Sequence, residues 1–296
     1  MKLFTIGDSI SQGFMSLAAA RTELSFPTLI ARCLGLRPGI DYAITFWGAG
    51  GLPINVETVL RTLERRFGND VSGVIEWPQA VVMINQLIDE VETYYERGPG
   101  NIALPQAGAT EWFPNVSVAG FTVADAWLVT PEWCLRQIAS DQREHGILAE
   151  AEDGFFALPN RRFERTAAAV LNPSRSPHYN GFSQLRWLQF HAEREGVENV
   201  LLWLGSNNAL GTVVRLQIRE TRDAPDHPLD MAVEKRNGFN LWTPEHFEDE
   251  YDELLRRVHA ILTADTNRTP DCKGSSARSH PSAWRRWPRE WAASCG

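Results

Sequence analysis

Lys2-Leu3-Phe4-Thr5-Ile6, running into Gly7-Asp8-Ser9-Ile10-Ser11-Gln12-Gly13, is the stretch on which the fold of this chain turns. The first five residues are rich in apolar and β-forming types and predict a short strand. The glycine, the small polar residues and the second glycine predict a tight strand-to-loop turn. Such a turn can hold a serine hydroxyl at the carboxyl edge of a sheet, where open α/β folds place their sites. Ser9 equally fits the N-cap of a helix following the strand.

Outward from this stretch, strand and helix patterns alternate. Phe26–Leu34 reads as a helix with Pro27 in its first turn and Gly35 as its stop. Tyr42–Trp47 reads as a second strand before the cluster Gly48-Ala49-Gly50-Gly51. Asn55 caps a helix whose Val56, Val59, Leu60 and Leu63 form an apolar face. Ala80–Ile84 is a continuously apolar strand, as expected in a sheet covered on both faces. This alternation predicts an α/β protein with a mostly parallel sheet. Residues 97–180 are rich in Pro, Gly, Trp and Phe, with helical pieces at 124–139 and 160–170, and read as an inserted cap- or lid-like segment. Regular patterns then return: a helix at Phe182–Glu195, a strong strand at Val200–Leu204, and a helix at Pro244–Leu262 with Thr243 as its cap.

The 296 residues, 43% hydrophobic, suffice for one large core. A formal charge of −8 argues against a nucleic-acid surface. No stretch is apolar and long enough to span a bilayer. The first strand follows Met1 directly, so cytoplasmic residence without a signal peptide is the expectation. Cys33, Cys134, Cys272 and Cys295 lie far apart and away from histidine, so no metal site and no cofactor are expected. Nothing in the composition specifies an oligomeric state.

The block Gly7-Asp8-Ser9-Ile10, with Gly13 four residues after the serine, resembles the first signature of the GDSL, or SGNH, family of serine esterases and lipases. Ile10 stands for that family's leucine. Gly205-Ser206-Asn207-Asn208, at the end of the strand Val200–Leu204, resembles the family's Gly-x-Asn-Asp block. The resemblance implies a flavodoxin-like, SGNH-type three-layer fold over residues 1–264, and hydrolysis of a small-molecule ester. It implies that Ser9 is the nucleophile and that the Asn207 carboxamide helps hold the oxyanion. Asn208 replaces the usual aspartate, a change expected to loosen the loop. Asn85, also after a strand, is a rival to Asn207 but lacks the neighbouring glycine. The family's second block supplies a glycine N–H after a strand. By position that glycine is Gly51, with Gly50 close behind, although Phe46-Trp47-Gly48 stands where the family has an asparagine. Donors aimed at a developing oxyanion are worth roughly 3–4 kcal/mol each. Asp8 is expected to brace the turn.

The family's base is a histidine in Asp-x-x-His near the carboxyl terminus. None of His145, His178, His191, His227, His246, His259 and His280 has an aspartate three residues earlier. Asp223-Ala224-Pro225-Asp226-His227 is the nearest imitation, and it precedes the last helix. His191 and His259 sit on helical patterns and read as structural. A chain without the base is expected to turn over little or nothing. The alternative reading is a non-catalytic ligand-binding module on the same fold. A phosphate binder is disfavoured, because Gly7–Gly13 lacks both the Rossmann glycine spacing and the Walker lysine.

Residues 265–296 form an irregular tail. Gly274–Pro288 shows neither period 2 nor a helical face. One GC-rich back-translation of those fifteen residues, shifted by two bases, reads Leu-Val-Gly-Thr-Val-Pro-Ser-Val-Gly-Val-Ala-Pro-Leu-Ala. That is a strand pattern ending in a Gly/Pro loop, so the tail is expected to be out of frame and the sheet incomplete at its C-terminal edge.

Overall fold

The computed structural model describes residues 1–15, 19–45, 47, 56–68, 101, 111–145 and 161–268. In chain order the elements are β1 (Phe4–Gly7), α1 (Ser9–Gln12), β2 (Phe14–Met15), β3 (Ala19–Ala20), α2 (Phe26–Cys33), α3 (Val56–Phe67) and α4 (Asp125–Leu128). There follow α5 (Pro131–His145), α6 (Arg162–Leu171), α7 (Gln184–Arg194), β4 (Val200–Trp203), α8 (Asn207–Arg215), α9 (Val233–Arg236) and α10 (Pro244–Thr263). The protein is of the α/β class.

β1 is the central member of a parallel sheet. On one side β4 pairs with it in register, Phe4 with Val200 through Gly7 with Trp203. On the other side segment 114–118 runs parallel to it. There Thr5 N–H donates to Pro114 O (2.8 Å), Val116 N–H to Thr5 O (3.0 Å) and Val118 N–H to Gly7 O (3.0 Å). The two-residue alternation of a strand then divides β1 between two faces. Phe4 and Ile6 enter the main core with Val116, Val118, Trp187, Leu188, Leu254 and Val258, beneath α7 and α10. Leu3 turns to the opposite face and packs with Ala31 and Tyr42 near α2. Thr5 meets the Tyr42 hydroxyl there at 3.2 Å. Helices on both faces leave the carboxyl ends of the parallel strands as the free rim, and β1 is where the chain order switches sides.

Local chemistry explains the helix boundaries. Thr243 caps α10, its hydroxyl accepting the His246 N–H at 3.2 Å, and Ser183 caps α7 through the Arg186 N–H at 3.2 Å. Among the described residues no helix is long and apolar enough to cross a membrane.

Three expectations change here. Tyr42–Trp47 is not a strand over its described residues; Tyr42 makes a single bridge to Pro38, and its ring fills the core beside Leu3 instead. Segment 114–118 lies inside the stretch 97–180, yet it is a member of the sheet, so this part builds the core rather than covering it. Its alternation of Asn115 and Ser117 with Val116 and Val118 suits that place. Helix α8 begins at Asn207, where a loop was expected. The strand expected at Ala80–Ile84, residues 269–296 of the tail, Asn85, Gly50 and Gly51 all lie outside the described residues.

Candidate functional site

The heptapeptide after β1 folds as its composition requires. A Cβ on Gly7 would sit 2.0 Å from Ser11 Oγ and 2.9 Å from Trp203 O, so only glycine lets the turn close against β4. Asp8, not Ser9, is the N-cap of α1, and its carboxylate accepts the Ile10 N–H at 3.1 Å. Ser9 is thereby left as the first residue of the turn, with an N–H that has no acceptor inside the helix. Its hydroxyl, partly exposed, has no hydrogen-bond partner among the described residues. Ser11 Oγ folds back onto Asp8 O (3.1 Å), and buried Gln12 reaches across to accept the Ala119 N–H at 2.9 Å.

That last bond crosses to a second loop, which follows segment 114–118. Asn115 is buried. It donates to Ser11 O (3.0 Å) and accepts the Ser117 N–H (3.1 Å), binding the base of this loop to α1. From below, Gln184 donates to both Gly7 O (2.9 Å) and Val116 O (2.6 Å). The loop turns at Gly120, whose φ of +87° is a conformation that side-chain-bearing residues rarely adopt. Gly120 is exposed, and no hydrogen bond from its N–H is formed among the described residues.

A third loop, after β4, ties into both. The Ser206 hydroxyl donates to Asp8 Oδ2, joining residues 198 positions apart. Asn207 Nδ2 donates to Phe121 O at 2.9 Å, beside Gly120, which leaves its second N–H uncommitted. Asn208 accepts the Val123 N–H (3.1 Å) and donates to Glu250 Oε2 (3.3 Å). Glu250 is fully buried, accepts from Trp242 Nε1 at 2.7 Å and forms an ion pair with Arg236, Nη1 to Oε1 at 2.7 Å. The expectation that Asn208 loosens this loop is therefore overturned. Its amide uses both ends, anchoring the loop to α10 and to the segment before α4.

Electrostatics at the rim follow from burial. Desolvation pushes the Asp8 carboxyl above its ordinary pKa, while the Ser206 hydroxyl and the Ile10 N–H pull it back. Nearby Asp125 is also raised by burial, and the Arg236 charge opposes that rise.

The structure thus brings together Ser9, Asn207 and a glycine loop. The glycine of that loop is Gly120; Gly50 and Gly51, to which the sequence pointed, lie outside the described residues. Asn115 stands five residues before Gly120, on the segment beside β1. The alternation from Pro114 to Gly120 was the available signal.

No described histidine contacts Ser9. His191 is fully buried among Phe4, Trp112, Trp187 and Phe190, its Nδ1 2.9 Å from Glu195. Both nitrogens of His227 are engaged, Nδ1 accepting from Leu229 N–H and Nε2 facing Asp249, each at 3.2 Å. His246 Nδ1 meets Thr221 Oγ1 at 2.9 Å. Among the described residues no group of three or more His, Cys, Asp or Glu could hold a metal ion.

Comparison with models of known protein families, with curated proteins and with solved structures finds no match.

Proposed function

We propose that this chain carries the site of a serine ester hydrolase of the SGNH type on a flavodoxin-like sheet. The observation that supports this reading best is the mutual bonding of three loops from three adjacent strand ends. Asp8 is tied to Ser206, Asn207 to Phe121, and Gln12 to Ala119. Among the described residues the order segment 114–118, β1, β4 supports this reading, because a flavodoxin-like sheet has β1 between its second and third strands.

In this reading Ser9 Oγ attacks the ester carbonyl. The charge that develops on the carbonyl oxygen is met by the Ser9 N–H, the Gly120 N–H and the second N–H of Asn207. Such preorganised donors cost nothing to reorient at the moment of reaction. The Phe121 carbonyl fixes the Asn207 amide plane, so its free N–H points one way only. The buried Glu250–Asn208 pair holds the helix start from which Asn207 projects. No described histidine takes the Ser9 proton, so acylation is slow and deacylation slower still.

Incubation with p-nitrophenyl acetate tests this. The expected result is slow release of about one p-nitrophenol per chain, abolished by Ser9→Ala and reduced about 10²-fold or more in rate by Asn207→Ala. Ligand binding that survives Ser9→Ala, with no covalent adduct from a fluorophosphonate probe, supports the binding-module reading and refutes this one.

A further inference from the structure

The tie between the first and third loops has a free end. Ser206 donates its hydroxyl proton to Asp8 Oδ2, between loops that leave neighbouring strands at Gly7 and Trp203. A hydroxyl has one donor and two acceptor positions, and no group among the described residues donates to the Ser206 oxygen. Ser206 is exposed, whereas Asp8 is fully buried. The hydroxyl therefore links the rim to a carboxylate that solvent does not reach directly. Ser9 follows Asp8 in the chain and Asn207 follows Ser206, so both ends of this bond adjoin residues of the proposed site.

The surroundings of Asp8 favour its taking a proton. Desolvation raises its pKa, against the opposing pull of the Ser206 hydroxyl and the Ile10 N–H, which makes it a stronger base than an exposed aspartate. No charged neighbour takes part in that shift. The elements around it bring neutral polar groups: Ser11 and Gln12 from α1, Asn115 from segment 114–118, Gln184 from α7 and Ser206 from the third loop. Oδ1 is committed to the Ile10 N–H, so the place for an incoming proton is Oδ2, on the Ser206 side.

From this geometry we propose that Ser206 and Asp8 form a proton relay for the water that hydrolyses acyl-Ser9. The relay deepens the serine hydrolase reading and rests on it. A water oxygen bonds to the acyl carbon, its proton passes to Ser206 Oγ, and the Ser206 proton passes to Asp8 Oδ2. The carbonyl electron pair moves onto the oxygen that the Ser9, Gly120 and Asn207 N–H groups hold. When the tetrahedral intermediate collapses, the bond to Ser9 Oγ breaks, and Ser9 takes the proton back from Asp8 through Ser206. A carboxylic acid leaves, and the serine and the carboxylate are restored. Asn207 holds the oxyanion while its chain neighbour Ser206 holds the water, so the start of α8 serves both. Without an imidazole in the relay, deacylation stays slow, but it proceeds.

The test reads the decay of acyl-Ser9, not its formation. The chain is acetylated with p-nitrophenyl acetate and freed of reagent, and acetyl on the Ser9 peptide is followed by mass spectrometry from about pH 4 to pH 8, a range that starts near the ordinary aspartate value of 3.8. Through the relay, the decay rate rises as Asp8 ionises and then levels off. A rate that climbs in proportion to hydroxide over the whole range overturns the proposal. Ser206→Ala and Asp8→Asn should each slow the decay on the plateau about 10-fold or more, and Ser206→Thr, which keeps the hydroxyl, should restore most of it. Unchanged decay in a folded Ser206→Ala chain overturns the relay and leaves Ser9 as the nucleophile. Absence of acetyl from Ser9 in the parent chain removes the hydrolase reading and the relay with it. Should the variants fail to fold, the pH profile of the parent chain decides.

Discussion

The carboxyl end of β4 and its outer edge belong to one strand and could hardly differ more. At the end, each of Ser206, Asn207 and Asn208 is bonded to a different partner far away in sequence. Along the strand, three apolar residues are only partly buried and the fourth, Trp203, is 45% exposed. Polar side chains at the end specify their partners by directional bonds, so that corner is complete with the residues at hand. Apolar side chains at the edge specify only that something should cover them. Among the described residues, the rim is thus closed by directional bonds while the adjoining strand stays partly exposed.

The largest contrast is expected from cutting each region once. Glu250→Ala leaves Arg236 buried without its carboxylate and frees Asn208, so it should cost about 3–5 kcal/mol in urea unfolding. Trp203→Ser, on that edge, should cost less, about 1–3 kcal/mol, because the indole is 45% exposed and its ring contact is an edge contact with Phe26. Equal losses would erase the distinction between the two regions. A Glu250→Ala chain that stays folded should also lose most of its Ser9-dependent p-nitrophenol release, since Asn207 projects from the helix start that Glu250 holds.

A second comparison sets that open edge against the closed face under β1. Burial drives His191 down from its ordinary 6.5 to about 4, with Glu195 opposing the shift. Unfolded, the imidazole takes its proton near 6.5; folded, only near about 4. Stability is therefore full above pH 6.5 and falls as the pH drops toward 4. At 1.36 kcal/mol per pKa unit, the loss at pH 5 is about 2 kcal/mol. His191→Gln should flatten the profile between pH 7 and pH 5 by that amount, whatever it costs at pH 7. Asp8 and Asp125, raised by burial, act with the opposite sign, so the difference between the two chains isolates the histidine. A variant as pH-sensitive as its parent would mean that water reaches this face too.

Where residues speak to near neighbours, the fold was legible. The strand β1, the turn to Gly13 and the helix after Thr243 all announce themselves within a few residues. Segment 114–118 did not, although its Val116/Val118 alternation was there to read. It is short, and the Pro, Gly and aromatic residues around it resemble a loop. What identifies it is a set of bonds to Thr5 and Gly7, more than a hundred positions earlier. Tyr42 failed in the opposite direction, since a β-favouring run carries no statement of whether a neighbouring edge exists to receive it. Asn208 was read as a replacement that loosens its loop, whereas its two-ended amide joins the Val123 N–H to the buried carboxylate of Glu250.

The smallest effect separates what Asp8 does by charge from what it does by shape. Its carboxylate accepts from Ile10 N–H and from the Ser206 hydroxyl, yet its burial disfavours ionisation. A raised carboxyl pKa means that the folded state holds its proton more tightly, so this group's contribution declines as the pH rises through that pKa. Asp8→Asn keeps one acceptor, for the Ile10 N–H, turns its amide NH2 to the Ser206 oxygen, which can accept instead, and removes the buried charge; it should change stability at pH 7 by no more than about 0.5 kcal/mol and abolish that decline. Asp8→Ala loses both acceptors and should cost about 1 kcal/mol or slightly more, with the Ser206 hydroxyl left to find another partner. If asparagine costs as much as alanine, the bridge between the first and third loops depends on charge, and the rim is held electrostatically rather than by fit.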